Sequence, residues 1–303
     1  EMKSIYYPSR NDIRDNIIEV REKVFLEEKV ELGEWGTFYG SGYVYGLVSD
    51  RKGDKYDVRP QIDDIYLKFF FPGLEIKTGY SKVVWGKLDE VSPLDIVNPL
   101  DITRLFMEPD RKGAKLPVPL FIISPYFGDS GKVDFLFVPF FREPVYDLLN
   151  EKNSPFNVVL FPLPTQITTP SRKGRNAEYG VRISNTFKEV DWSLYYFRGF
   201  QDTPGYRLKW LSFFPLRITI SGEYVKSNMF GGDFELTAGK WGIRGEAAFF
   251  SNGLFWRKDA LDFATGRYVI AGPGVDRKFG CLLYTSDAAD EGLGVDLGGR
   301  RII

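Results

Sequence analysis

Lys68, Glu75, Lys77, Arg182, Arg217, Glu223, Arg244 and Glu246 are the charged residues that recur at alternate positions opposite apolar neighbours. Charges of both signs along one face of a strand can pair with one another or steer small ions. Around a narrow passage, such rows set ion preference. Around a filled interior they form a salt-bridge network, and the sequence leaves both arrangements open. Catalytic chemistry has far less to work with. The chain has 0 histidines, so the commonest general base and metal ligand is missing. No Ser-His-Asp, Cys-His or Cys/His zinc arrangement can be built from it. Asp89, Glu90, Asp95 and Asp101 lie close together, and hard cations take several carboxylate oxygens. Their spacing matches no calcium-loop signature, however, and no glycine stands at a sharp-turn position among them. Capping and solvation account for these acids more simply. The reading is of no catalytic residue, no metal and no cofactor.

Period-two alternation is the strand signal, and strands are the elements that must carry these charges. Ile65, Leu67, Phe69 and Phe71 alternate with Asp64, Tyr66 and Lys68, and Leu74, Ile76 and Thr78 alternate with Glu75 and Lys77. Tyr179, Val181, Ile183 and Phe187 oppose Glu178, Arg182, Ser184 and Thr186. Leu216, Ile218, Ile220 and Tyr224 oppose Arg217, Thr219, Ser221 and Glu223, while Trp241, Ile243, Ala247 and Phe249 oppose Arg244, Glu246 and Ala248. Two-residue turns are expected at Pro72-Gly73, Lys188-Glu189 and Gly239-Lys240. Longer connections are expected at Ser49–Gln61 and Pro144–Arg175. Tight turns at one end and long loops at the other, with roughly a dozen strands, is the pattern of a membrane barrel. A soluble β-sandwich has the same alternation. Two features favour the membrane: charges of both signs on the polar faces, and aromatics near strand ends (Trp192, Tyr196, Tyr206, Trp210, Tyr224, Trp241).

The stretch from Leu74 to Asp101 carries more than alternation. It reads Leu74-Glu75-Ile76-Lys77-x-Gly79, then Val83-Val84-Trp85-Gly86, then Asp95-x-x-Asn98-Pro99-x-Asp101. In this it resembles a family of uncharacterised bacterial outer-membrane proteins placed among porin-like β-barrels. The resemblance is specific over about thirty residues and general elsewhere. It implies an outer-membrane barrel of a diderm bacterium that passes a hydrophobic or small solute. Lys87-Leu88-Asp89-Glu90 departs from the family, in which an acidic residue often follows Trp-Gly directly. From the residues themselves, Gly86 lets the chain leave the strand at an angle and Trp85 anchors the exit. Asp95 and Asp101 are placed to cap short helical turns. Asn98 is an N-cap for Pro99 at a first helical position, and Asp101–Met107 forms a short helix. Trp85, Asp95, Asn98 and Asp101 are thus the candidates for a constriction loop folded into the lumen. Packing on the rim is the competing reading.

Composition agrees with these elements. Aromatic residues make up 16% of the 303 residues and the formal charge is −1, with a mean hydropathy of −0.23. Alternating faces average out to such a value. No apolar run reaches the ~18 residues of a membrane helix, and near-neutral charge argues against a nucleic-acid partner. Residues 281–303 are set apart. Cys281–Glu291 and Val295–Ile303 are similar to the two translated ends of a sequencing-library adapter, in one reading frame. We therefore expect residues 1–280 to form a partial barrel in a metagenomic-type fragment. Residues 281–303 are expected to be a non-native tail standing outside the wall. The tail holds the single cysteine, Cys281. It also holds four acids (Asp287, Asp290, Glu291, Asp296) against two arginines (Arg300, Arg301), which leaves +1 on residues 1–280.

The expectation is an all-β, antiparallel transmembrane β-barrel, incomplete at its C-terminal side, in the bacterial outer membrane. Its function is expected to be a porin-like channel giving small solutes passive or weakly selective passage. The alternatives are a plugged, non-transporting scaffold or adhesion barrel and, further off, a lipid-modifying enzyme. Expected partners are outer-membrane lipid and lipopolysaccharide, the latter met by the basic run Ser171-Arg172-Lys173-Gly174-Arg175. A homo-oligomer is also in view.

Overall fold

The computed structural model describes residues 2–12, 15–49, 57–88, 91–101, 111–145, 165–213, 216–256, 262–279 and 282–287. Sixteen strands lie in these stretches: β1 (Met2–Asp12), β2 (Asp15–Glu31), β3 (Gly36–Ser49), β4 (Asp57–Phe71), β5 (Leu74–Ser81), β6 (Val118–Phe127), β7 (Gly131–Val138), β8 (Thr165–Thr168), β9 (Glu178–Phe187), β10 (Val190–Phe200), β11 (Gly205–Phe213), β12 (Leu216–Glu223), β13 (Lys226–Ala238), β14 (Trp241–Trp256), β15 (Phe263–Phe279) and β16 (Leu282–Asp287). Thirteen of them form one sheet in chain order, with β7 beside β9 and β10 beside β13. Each neighbouring pair in that sheet is antiparallel. The other three make a small sheet, β11-β12-β8, in which β12 and β8 run parallel. Among the described residues β1 and β16 each pair on one side alone, so the large sheet keeps two edges.

Register sorts the side chains cleanly. One cross-strand row runs Phe135, Val181, Tyr196, Phe230, Phe249, Val269 across six neighbouring strands. The next residue on each strand gives the opposite face: Asp134, Arg182, Tyr195, Gly231, Ala248, Ile270. The first face is apolar and open, with Phe135 48%, Leu194 55% and Phe230 50% exposed. Ile65 and Ile243 also lie exposed on it. Two stacked sheets would bury this face, so the sandwich alternative does not describe the chain.

The expected turns are present at 72–73, 188–189 and 239–240, joined by 33–35 and 128–130. Antiparallel pairing places all five at one end of the sheet. The connections 82–117, 139–177 and 201–225 fall at the other end. One loop is shorter than the sequence indicates. β3 runs to Ser49 and β4 begins at Asp57, so Asp57–Gln61 belong to a strand, while residues 50–56 lie outside the described residues. Leu282–Asp287 also departs from expectation: it pairs with β15 instead of standing outside the wall. An unpaired strand edge offers backbone donors and acceptors to whatever segment follows it.

Candidate functional site

The connection between β5 and β6 turns inward and is built against the polar, concave face. Its first step is fixed at Ser81, whose hydroxyl accepts a hydrogen bond from Lys77 Nζ at 2.6 Å. The Lys82 N–H then donates to Asp64 Oδ1 at 2.8 Å, and its ammonium pairs with Asp63. Five residues later the backbone N–H groups of Lys87 and Leu88 both donate to Glu246 Oε1 on β14, the second at 2.6 Å. Residues 82 and 87 are at most about 18 Å apart when fully extended. Their partner strands β4 and β14 stand seven places apart in the sheet, about 34 Å on a flat surface. The sheet therefore curls around the segment.

Glu246 is the centre of this attachment. Its other oxygen accepts Ser92 Oγ at 2.5 Å. Neighbouring Arg244 donates to the Lys87 carbonyl at 2.8 Å and to Asp276 Oδ2 at 2.6 Å. Lys87 itself reaches Glu235 at 3.0 Å. Gly86 makes the approach possible. Its φ is +88°, and a Cβ there would lie 2.2 Å from Ser92 Oγ and 2.6 Å from Glu246 Oε1. A Gly86→Ala variant is expected to detach this corner, seen as new protease cleavage near residue 86 with the wall still folded.

On either side of Gly86 the segment shares an apolar core with the wall. Trp85 is 3% exposed and packs on Tyr195 at 5.3 Å and edge-on to Phe197 at 5.9 Å. It anchors the chain in the interior just after it leaves β5. Leu94 and Val97 join Val118, Leu120, Leu136, Val138, Met229, Ala248 and Phe250 from the surrounding strands. Gly231 leaves the space that Leu94 fills, since a Cβ there would sit 2.2 Å from Leu94 Cδ2.

Asn98 does not cap a helix. Its carboxamide accepts the Val83 N–H at 2.6 Å and donates to the carbonyls of Leu116 (2.8 Å) and Ser81 (3.3 Å). It thus ties together the entering and leaving arms. Asp95 does not cap a turn either. It accepts the Trp85 N–H at 3.4 Å and pairs with Lys115, which is 1% exposed and also donates to the Val83 carbonyl at 3.2 Å. These polar side chains are spent joining two extended arms, which need cross-links that a helix makes for itself. Asp101 is buried and in bridge contact with Val145. The remainder of the expected Asp101–Met107 helix lies outside the described residues, whereas Arg111–Ala114 forms one helical turn. Breaking the Asp95–Lys115 pair by Lys115→Met is expected to cost about 3–5 kcal/mol, because a buried carboxylate loses its partner. The double variant Asp95→Leu/Lys115→Met is expected to cost less than the sum of the singles in urea unfolding.

The charged set divides. Lys68, Glu75, Lys77, Arg182, Arg244 and Glu246 share the concave face, by the register of β4, β5, β9 and β14. Lys68 lies 3.3 Å from Glu75, and Lys77 Nζ sits 4.0 Å over the Tyr66 ring. Arg217 and Glu223 instead belong to β12 of the small sheet, apart from the others. Alternation identifies a strand but not the sheet it joins, and for that reason the sequence grouped them. Lys132 and Asp134, 3.1 Å apart and bonded to the same cluster, were visible as alternation in β7 and were not singled out. Lys115, Asp233 and Tyr195 carried no such signal. Among the described residues no group of three or more His, Cys, Asp or Glu side chains is placed to hold a metal.

A curled, single-layer antiparallel sheet with an inserted segment on its concave side is structurally similar to the outer-membrane porins and channels. Three solved structures illustrate this. OmpF of Salmonella typhi is 8% identical, with 98% of this chain and 78% of that one covered and a TM-score of 0.48. The channel DcaP of Acinetobacter baumannii is 9% identical, with 90% and 66% covered and a TM-score of 0.42. An anion-selective porin from Comamonas acidovorans is 11% identical, with 90% and 69% covered and a TM-score of 0.40. The chain thus spans about two thirds of the length of DcaP. No family model and no curated protein matches the sequence. The likeness is one of strand arrangement alone, and the functional reading rests on this chain's own residues.

Proposed function

We propose that residues 1–280 are part of a bacterial outer-membrane β-barrel, porin-like, whose lumen is narrowed by the segment 82–117. It passes small solutes passively or with weak selectivity. One observation carries this reading: the open face of the sheet is a continuous apolar and aromatic band, while the enclosed face holds ion pairs and a folded loop. Monomeric soluble proteins rarely expose contiguous apolar surface on this scale, whereas acyl chains cover it without penalty. The unequal ends fit the same reading. The connections 82–117, 139–177 and 201–225 share one end with the short join of β1 and β2. The other end holds the tight turns at 33–35, 72–73, 128–130, 188–189 and 239–240. Gly174–Asn176 and the basic run before it stand at the long-loop end, where lipopolysaccharide phosphates would be met. Lys29 and Glu31 of β2, 2.5 Å apart and both exposed, share the face of Tyr66 and Lys68 and would line the passage.

A second reading is favoured by the buried cluster around Leu94 and Trp85: a barrel fully plugged by this segment and serving as a scaffold. Conductance of the full chain in planar bilayers separates the two. Steady open-channel current supports the channel, and its absence supports the plug. The membrane reading has its own test. Phe230→Lys on the open face is expected to cost about 2–4 kcal/mol of folding free energy in phosphatidylcholine vesicles. A water-facing position would change by no more than about 0.5 kcal/mol.

A further inference from the structure

Between the inserted segment and the wall lies a cavity of about 440 Å³, bounded by Ile96 on one side and Phe197, Phe200, Phe250 and Tyr268 on the other. It sits where β10 ends, at the long-loop end of the sheet. Its volume and lining are those of a small-molecule site: mostly apolar and aromatic, with a few fixed polar groups. Phe250 and Tyr268 stack at 4.8 Å with 21° between their planes. A flat ring can extend this stack by an offset face.

The polar group is held in one orientation. The Leu254 N–H donates to Gln201 Oε1 at 3.0 Å, which turns the Gln201 amide nitrogen toward Tyr268. That nitrogen donates to the Tyr268 hydroxyl at 3.3 Å. With its oxygen accepting from Gln201, the hydroxyl has its own hydrogen left to give. Among the described residues no lysine or arginine lines the cavity, and Asp202 is the one charged residue there. An anion would therefore lose its water without gaining a partner.

We infer that this cavity binds a neutral one- or two-ring aromatic molecule carrying a hydrogen-bond acceptor, seated on the Phe250–Tyr268 stack with Tyr268 donating to the acceptor. The site would be the first holding point for solute entering from the long-loop side. That role rests on the channel reading, but binding itself does not.

The test is titration of the full chain in detergent with 2-acetylnaphthalene, followed by ligand-detected saturation-transfer NMR with empty micelles subtracted. Saturable binding is expected. Tyr268→Phe should weaken it about fivefold, the worth of one neutral hydrogen bond. Ile96→Trp, which fills the cavity, should abolish it while the heat-dependent gel shift of a folded barrel is retained. The carboxylate analogue 2-naphthoate should bind at least about tenfold more weakly. Non-saturable uptake, equal binding by Ile96→Trp, or equal binding of 2-naphthoate would overturn the inference. If Ile96→Trp fails to fold, the Tyr268→Phe and 2-naphthoate results decide. Saturable binding without conductance keeps the site and removes the channel; conductance without binding does the reverse.

Discussion

Replacing residues 86–116 with a short Gly-Ser linker is expected to raise single-channel conductance several-fold. The segment it removes occupies the concave side with Leu94, Val97 and the rest of its apolar core, against strands from β6 to β14. Nothing of the wall leaves with it. The two arms are already neighbours where they would be rejoined, because Asn98 bonds Val83 and Leu116 together and Lys115 reaches the Val83 carbonyl. The linker therefore spans a short gap and does not pull the strands. Lys82 stays with Asp63 and Asp64, so the end of β5 keeps its tie to β4. A plugged scaffold would show the same change from a closed starting point. Unchanged conductance would place the segment outside the route of permeation.

Glu246→Ala should free the segment without removing it. The carboxylate accepts from the Lys87 and Leu88 amides and from Ser92 Oγ. An unsatisfied buried donor costs about 1–3 kcal/mol. Amide exchange at Lys87 and Leu88 is therefore expected to accelerate by about 100-fold or more, since each 1.4 kcal/mol is a factor of about ten. Channel recordings should show flicker in place of a steady level. Glu235→Ala is the contrast. Glu235 also reaches Lys87, but its side chain is 39% exposed. An ion pair of that kind contributes about 0–1 kcal/mol. Equal effects of the two substitutions would show that Glu246 does not fasten the segment.

Much of the wall was legible in the sequence, and the reason is the pleat. Where one face is open and apolar and the other meets charge, as in Leu74–Ser81 or Glu178–Phe187, period-two alternation is clear and the assignments of face agree with the register. β10 was harder to read, because Tyr195 and Phe197 are aromatic on the concave side. They meet Trp85, a contact between residues more than one hundred positions apart that no local pattern encodes. The inserted segment shows the same limit. Its sequence marked the place where the chain leaves the strand and its polar residues, but not what those residues bond. Asn98 and Asp95 look like helix caps, since capping is their commonest local use. In the fold they cross-link two non-local arms. Arg217 and Glu223 alternate as well as any other pair, and only the pairing of β12 with β8 and β11 separates them from the large sheet.

Which side of the sheet touches lipid can be read along one strand. Single spin labels at Leu194, Tyr195, Tyr196 and Phe197 of β10, in reconstituted vesicles, sample both faces in turn. Molecular oxygen concentrates in the bilayer, while a charged nickel chelate stays in water. Labels at 194 and 196 should collide with oxygen and exclude nickel, and those at 195 and 197 should show low access to both, packed against the inserted segment. Nickel access at 194 and 196 equal to that of an exposed loop would contradict a membrane-facing wall.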